Sequence, residues 1–297
     1  MVKVAINGFG RIGRMVLRSI IENKTKSIKV VAINNRADTG TSAFLLEKDT
    51  IHGNLNIPIK FDKKSIKVGG QSINVFHEND PENLPWKKLG IDIVFECTGK
   101  FNTKELSSKH LKAGAKRVLV SAPCKNADQT IVFGINEKKI SSKDKIISVA
   151  SCTTHCLAPL AYVMDKKFSI EKGYMTTIHS YTSDQKLLDN SHKDLRRARS
   201  APNAIVPTST GAAKALSLIL PNLKNKLDGI SIRVPTPNVS LVQLCFTAKK
   251  KINEKTINLA LEKASKTYLK NILGAVSYTH LRAHETPEHL VCRLLLE

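Results

Sequence analysis

The opening of the chain constrains its fold more than anything else in it. Residues 2–6 (VKVAI) form a short apolar run, and Asn7-Gly8-Phe9-Gly10-Arg11-Ile12-Gly13 follows at once. A helical stretch (RMVLRSIIEN) and a second apolar run at 28–34 (IKVVAIN) complete the pattern. Strand, glycine-rich turn, helix, strand is how a dinucleotide-binding fold begins. Gly8 allows the tight turn, Gly10 lets the backbone approach a pyrophosphate, and Gly13 lets helix and strand pack closely. The helix start then offers N–H groups and positive dipole to the phosphates. The same spacing can also serve as a tight turn without a ligand; the strand before it and the helix after it favour the ligand.

Further strands are expected at Ile66–Val68, Ile73–Phe76, Ile91–Glu96 and Arg117–Val120, with a helix over Lys104–Ala113 and a proline-broken loop from Asp80 to Pro85. Alternation of strands and helices implies a largely parallel sheet. A domain boundary is expected near residue 150, where Ile146–Val149 reads as a last strand and Ser151 as the cap of a helix carrying Cys152. Beyond it, Tyr174–His179, Gly229–Val234 and Val239–Ala248 suggest a mixed or antiparallel sheet. The expected fold class is α/β: a Rossmann-type doubly wound dinucleotide-binding domain (1–150) plus an α+β catalytic domain with that second sheet.

The end of the second strand normally carries an acidic residue for the adenosine ribose. Here it reads Ile33-Asn34-Asn35-Arg36. An Asn does not repel a 2′-phosphate as a carboxylate would, and the donor fork of Arg36 suits one. NADP is therefore expected as a cofactor beside NAD, the alternative being a solvated Arg36 next to a neutral drift at Asn35.

In Ser151-Cys152-Thr153-Thr154-His155-Cys156, Cys152 falls in the first turn of a helix. The positive end of the dipole there favours thiolate. A lone cysteine is more often a small buried apolar group, the reading that suits Cys156. A metal site is not expected, since no further Cys/His set completes a shell around the two.

VKVAINGFGRIGR, FECTGKF, SAP, SCTTHCLAPL, TTIHSYTSDQ, HKDLRRARSAPNAIVPTSTGAAKA and RVPTPNVSLV together resemble the phosphorylating glyceraldehyde-3-phosphate dehydrogenases over roughly residues 1–274. The resemblance implies oxidation and phosphorylation of D-glyceraldehyde 3-phosphate to 1,3-bisphosphoglycerate in glycolysis or gluconeogenesis, with reduction of NAD(P). It makes Cys152 the nucleophile that becomes a thioester and His179 its base. It implies Gly8, Gly10, Arg11, Ile12, Gly13, Thr98, Gly99 and Ser121 as cofactor-binding positions. Thr182, Asp184 and Arg233 match the site for the substrate's own phosphate. Ser151, Thr153, Thr210, Gly211 and Arg233 match positions around the attacking inorganic phosphate, with Arg197 close by. The run Lys193–Arg199 resembles the family's loop that crosses to a neighbouring subunit, and a homotetramer is implied.

Two positions depart from the family's pattern. His155 stands where Asn is usual. Ser191 stands where NAD-specific members have Pro, as in members that use NADP, so it joins Asn35 and Arg36 in the NADP reading. Residues 275–297 carry none of the family's closing segment, and are expected to be a non-family tail. The catalytic domain would then be incomplete (151–274), and the chain as it stands poorly soluble or inactive. Erythrose-4-phosphate dehydrogenase is the alternative within the same fold, and TTIHSYTSDQ favours the triose enzyme.

A net charge of +22 opens the question of nucleic acid. The lysines are dispersed and Lys249-Lys250-Lys251 is the longest cluster, so nucleic acid is not expected as the main partner. No stretch is long and apolar enough for a bilayer, no signal peptide is visible, and scattered cysteines suit a reducing cytosol.

Overall fold

A computed structural model of the chain describes residues 1–276. All but the first two residues of the expected tail lie outside the described residues. The chain divides into two units: 1–130 with 139–150, and 131–138 with Ser151 onward.

The first unit runs β1 (Val2–Asn7), α1 (Arg11–Glu22), β2 (Ile28–Asn34), α2 (Thr39–Glu47), β3 (Ile59–Phe61), β4 (Ser65–Val68), β5 (Gln71–Phe76), α3 (Trp86–Leu89), β6 (Ile93–Glu96), α4 (Lys104–Lys112), β7 (Arg117–Val120), β8 (Gln129–Thr130) and β9 (Ile146–Ser148). Its nine-stranded sheet has the order β3-β4-β5-β2-β1-β6-β7-β9-β8. The strands from β5 to β8 pair in parallel, and only β3-β4-β5 is antiparallel. Along β1, Val4 and Ile6 join one buried cluster with Leu17, Ile33 and Leu46, while Ala5 joins another with Trp86, Val94 and Val118. Neighbours thus face opposite sides, and both are covered, as a parallel sheet requires. The chain leaves β1 toward β2 on one side and places β6 on the other. Strand order therefore reverses at β1, where an open α/β sheet forms its ligand crevice.

The second unit contains α5 (Cys152–Phe168), β10 (Ile170–Ser180), β11 (Val206–Ser209), α6 (Ala212–Ile219), β12 (Leu227–Val234), β13 (Ser240–Ala248) and α7 (Glu254–Lys266). Its four-stranded sheet, β11-β12-β10-β13, is mixed. β10 runs parallel to β12 with Thr177 opposite Ser231 and His179 opposite Arg233, and antiparallel to β13. One face holds Met175, Thr177, His179 and Ser231, all buried; the other exposes Tyr174 and Leu241.

The α/β class, with a parallel-rich sheet and a second, mixed sheet, follows the sequence reading. The sequence also hides some elements: α2, capped by Asp38, whose side chain accepts from Thr41 N, opens with the poor helix formers Thr-Gly-Thr-Ser. The Asp80–Pro85 loop contains a single 3₁₀ turn, Pro81–Asn83.

Candidate functional site

The first candidate site lies at the C-terminal ends of β1, β2 and β6. Asn7, Gly8 and Gly10 from the first turn, Asn34, Asn35 and Arg36 from the second, and Cys97, Thr98, Lys100 and Phe101 from the third line one cleft with Glu78 and Asn79. Gly8 has φ +90, and a side chain there would put Cβ 2.7 Å from the Thr98 nitrogen. At Gly13 a Cβ would lie 2.2 Å from the Gly8 oxygen. Both positions thus need a residue without one. Gly10 is the N-cap of α1 and supplies no side-chain bond, while the space where its Cβ would stand is open. Free N–H groups at a helix start beside open space fit the pyrophosphate of a dinucleotide.

Of the positions expected to bind cofactor, the cleft gathers Gly8, Gly10, Asn35, Arg36 and Thr98. Asn35 Nδ2 donates to Ser42 Oγ (3.0 Å), and Arg36 is exposed on the rim. Arg11 and Ile12 begin α1, with Arg11 paired to Asp49. Gly99 follows Thr98 with φ +70, and the Ser121 backbone N–H donates to Glu96 O (3.0 Å). Ser191 belongs to the second unit, in an exposed loop where its N–H donates to Asn190 Oδ1 (2.7 Å). Sequence reasoning missed Asn7, Asn34, Glu78, Asn79, Cys97, Lys100 and Phe101. Their position beside the glycine turn and in FECTGKF is the signal that could have found most of them.

The second candidate site belongs to the second unit. Ser151 is extended (φ −126, ψ 161), and its Oγ accepts from Thr154 N, so α5 starts at Cys152. Cys152 Sγ lies 3.2 Å from His179 Nε2. His179 Nδ1 lies 2.7 Å from Ser180 O, which only accepts, and 3.0 Å from Arg233 Nη1, which only donates, while Nε2 faces the sulfur. Arg233 Nη1 donates to the same carbonyl (2.9 Å) and lies 3.4 Å from Thr182 Oγ1. The parallel register of β10 and β12 sets His179 and Arg233 side by side.

Two other thiols, one in each unit, show by contrast what the surroundings of Cys152 do. Burial pushes Cys97 up to about 11, with the Ser121 hydroxyl opposing and the Glu96 charge adding. Burial likewise pushes Cys156 up to about 11, helped by the neighbouring Cys152. Partial desolvation also raises Cys152, but the hydrogen bond and charge of His179, with donors from Thr153, outweigh it and bring the thiol below its ordinary value.

The anion-binding candidates divide by chemistry. Arg233 is partly desolvated, which with Arg197 nearby lowers its pKa, while Cys152 and Asp184 oppose; a guanidinium remains cationic. Arg197 donates through Nε to Thr208 Oγ1 (2.9 Å) and through Nη1 to Asp184 (2.5 Å). Asp184 is itself held below the carboxylate range: burial raises it, and bonds from Arg197 and His192 overcome that. A carboxylate only accepts hydrogen bonds, so Asp184 aims Arg197 rather than gripping phosphate oxygens. Thr153 is buried, and Thr210 Oγ1 accepts from Ala212 N (3.2 Å) beside Gly211, the N-cap of α6. Thr208 and Asp194, whose carboxylate accepts from Thr208 Oγ1 (3.0 Å), support Arg197 and were not legible as site residues. The His155 backbone N–H closes the first turn of α5 on Ser151 O (2.9 Å).

Among the described residues, no group of three or more His, Cys, Asp or Glu could hold a metal ion. No described helix is long and apolar enough to cross a membrane.

Comparison with known proteins matches residues 2–104 to the glyceraldehyde 3-phosphate dehydrogenase NAD binding domain and residues 151–281 to the glyceraldehyde 3-phosphate dehydrogenase C-terminal domain. A glyceraldehyde-3-phosphate dehydrogenase of Geobacillus stearothermophilus is 52% identical over 274 residues, covering 92% of this chain and 81% of the relative. That of Xanthobacter flavus is 53% identical over 273 residues (92% and 82%). That of Zymomonas mobilis is 49% identical over 279 residues (94% and 82%).

Proposed function

Because the chain belongs to the glyceraldehyde-3-phosphate dehydrogenase family, we infer that it is an NAD-dependent oxidoreductase converting D-glyceraldehyde 3-phosphate and inorganic phosphate to 1,3-bisphosphoglycerate in glycolysis. The observation that carries the mechanism is the 3.2 Å approach of Cys152 Sγ to His179 Nε2 at a helix start. The thiolate adds to the aldehyde carbon, forming a C–S bond and an alkoxide that takes the proton held at His179. The imidazole then removes that proton as the carbon loses hydride, and a thioester remains on Cys152. Bound NAD supplies the hydride acceptor. A phosphate oxygen attacks the thioester carbonyl, the C–S bond breaks, and the thiolate returns. Arg233 and Thr182 on one side, and Arg197 aimed by Asp184, are suited to hold the phosphate groups in place. Cys152→Ser tests the scheme: turnover should fall below detection with the fold intact, and a variant that still forms acyl phosphate at the parental rate refutes it.

The cofactor cleft accepts NADP as well as NAD, supported by the neutral Asn35, the cationic Arg36 on the rim, and Ser191. An arginine–phosphate pair is worth about tenfold or more in affinity. Arg36→Leu should therefore cost NADP at least about tenfold in kcat/KM and leave NAD little changed. A parental preference for NAD that persists unaltered in the variant removes the idea. The chain acts as a homotetramer in the cytosol. The exposed sheet face at Tyr174 and Leu241, and the exposed Leu187, Leu188 and Leu195, support association. Light scattering at micromolar concentration tests it.

A further inference from the structure

Behind the floor of the cofactor cleft lies a buried polar chain that neither the thiol chemistry nor the glycine turn requires. Trp86 Nε1 donates to His110 Nδ1 at 3.0 Å. His110 Nε2 lies 3.1 Å from Glu96 Oε2, and Asn7 Nδ2 donates to the same oxygen at 2.6 Å. The other carboxylate oxygen of Glu96 accepts from the Thr98 backbone N–H at 2.7 Å and from the Thr98 hydroxyl. Asn7 Oδ1 accepts from Asn34 Nδ2 at 2.7 Å, and Asn34 exchanges two bonds of 2.9 Å with the Glu78 backbone. Trp86 and His110 are fully buried, and Asn7 and Glu96 are 1 % exposed.

The donor inventory fixes the direction of every bond. An indole N–H can only donate, so His110 Nδ1 presents its lone pair and Nε2 carries the ring proton. That proton points at Glu96. Asn7 Nδ2, 3.3 Å from His110 Nε2, is a second donor on the same oxygen. Glu96 thus receives Asn7 and His110 on one oxygen and Thr98 twice on the other. Withdrawing one donor leaves a buried carboxylate short of a partner.

The far ends of this chain are the cleft. Asn7, Asn34, Glu78 and Thr98 line it, and Thr98 is the residue against which the Gly8 turn closes. His110 also meets the cleft through Phe101, another lining residue, whose ring lies edge-on at 6.1 Å. We propose that His110, held in one tautomer by Trp86, is a positioning residue for the cofactor. Through Glu96 it sets where Thr98 and Asn7 stand at the floor of the dinucleotide cleft.

This role rests on the reading of that cleft as the cofactor site. Wild-type protein that binds neither NAD nor NADP in calorimetry sinks the cleft reading, whereas the positioning role is judged only against a wild-type protein that binds. His110→Phe keeps the volume and removes the donor to Glu96; His110→Gln places an amide N–H near the lost Nε2–H. The expected result is a Kd for NAD raised at least about tenfold in His110→Phe and restored to within about threefold of wild type in His110→Gln. Alkylation of Cys152 by iodoacetamide without cofactor should be the same in all three. Equal Kd in wild type and His110→Phe overturns the proposal, and so does an equal loss in the Phe and Gln variants. Should His110→Phe not fold, Trp86→Phe decides. It frees the tautomer without touching Glu96, and a Kd raised about threefold or more is expected. Unchanged binding refutes the role. Because Trp86 is the single tryptophan of the chain, its indole N–H resonance should also move when NAD binds to wild type, and a resonance that stays fixed counts against it.

Discussion

Replacing His179 by Asn should convert Cys152 from an activated thiol into an inert one. In the parent, a lowered pKa means that thiolate persists below the ordinary thiol range and is lost only as pH falls through the depressed value. Without His179, desolvation is left opposed only by the donors of Thr153 and the helix start. Cys97 and Cys156 show where burial leads: both sit at about 11, against 9.0 for a free thiol. For each unit that the thiol climbs, thiolate well below the pKa falls tenfold. The more basic thiolate is about threefold more nucleophilic per unit, given a Brønsted coefficient near 0.4–0.5. The net loss in alkylation rate is therefore about threefold per unit at fixed pH. Because the parent starts below the free-thiol value, a climb to the position of Cys156 corresponds to at least about tenfold. Turnover falls further, by about 10²–10⁴, because the proton acceptor for the alkoxide is gone as well. The assay is the rate of iodoacetamide labelling at Cys152 from pH 5 to 10, read by peptide mass spectrometry, beside steady-state turnover. The parental midpoint should move upward in the variant. A profile superimposable on the parent, with labelling at pH 6 undiminished, refutes the reasoning.

Three further perturbations follow from the geometry. Gly8→Ala forces a Cβ to 2.7 Å from the Thr98 nitrogen at φ +90, so calorimetry should find a loss of about 1–3 kcal/mol in stability, and NAD affinity should fall with it. Ser151→Ala removes the side-chain acceptor for Thr154 N. It should cost about 1 kcal/mol in chemical denaturation and slow Cys152 labelling at pH 6. Arg197→Lys keeps the charge near Asp184 but loses the fork that also reaches Thr208. KM for the phosphorylated substrate or phosphate should rise about tenfold with a smaller change in kcat.

Much of this was legible in the sequence for a physical reason: it is local. The glycine turn, the Ser151 cap and the first-turn cysteine are each written within a few neighbouring residues, and the structure has a glycine turn and a capped helix there. The apolar runs at 28–34 and 117–120 are recovered as strands because both faces of a parallel sheet are buried. What stayed hidden is non-local. Asn7 and Glu96 are 89 residues apart, and Asn7 and His110 are 103 apart, so nothing near any of them announces the buried chain. In isolation, His110 reads as one more residue of a lysine-rich helix. The resemblance placed Asp184 beside a phosphate, and nothing in its motif shows that its carboxylate would also bond Arg197, 13 residues on. The helix α2 escaped because its capping aspartate precedes residues that by themselves favour a turn.

The pairing of His179 with Arg233 depends on how two parallel strands are aligned. Side chains alternate with a period of two, so sliding β12 by a single residue would send the guanidinium to the opposite side of the sheet. The imidazole would stay where it is, and the count of strand residues would barely change. Such a misfolded species would pass a circular-dichroism check of secondary structure and yet lack a complete anion grip. On the proposed mechanism, fidelity of strand alignment during folding is itself a condition for activity.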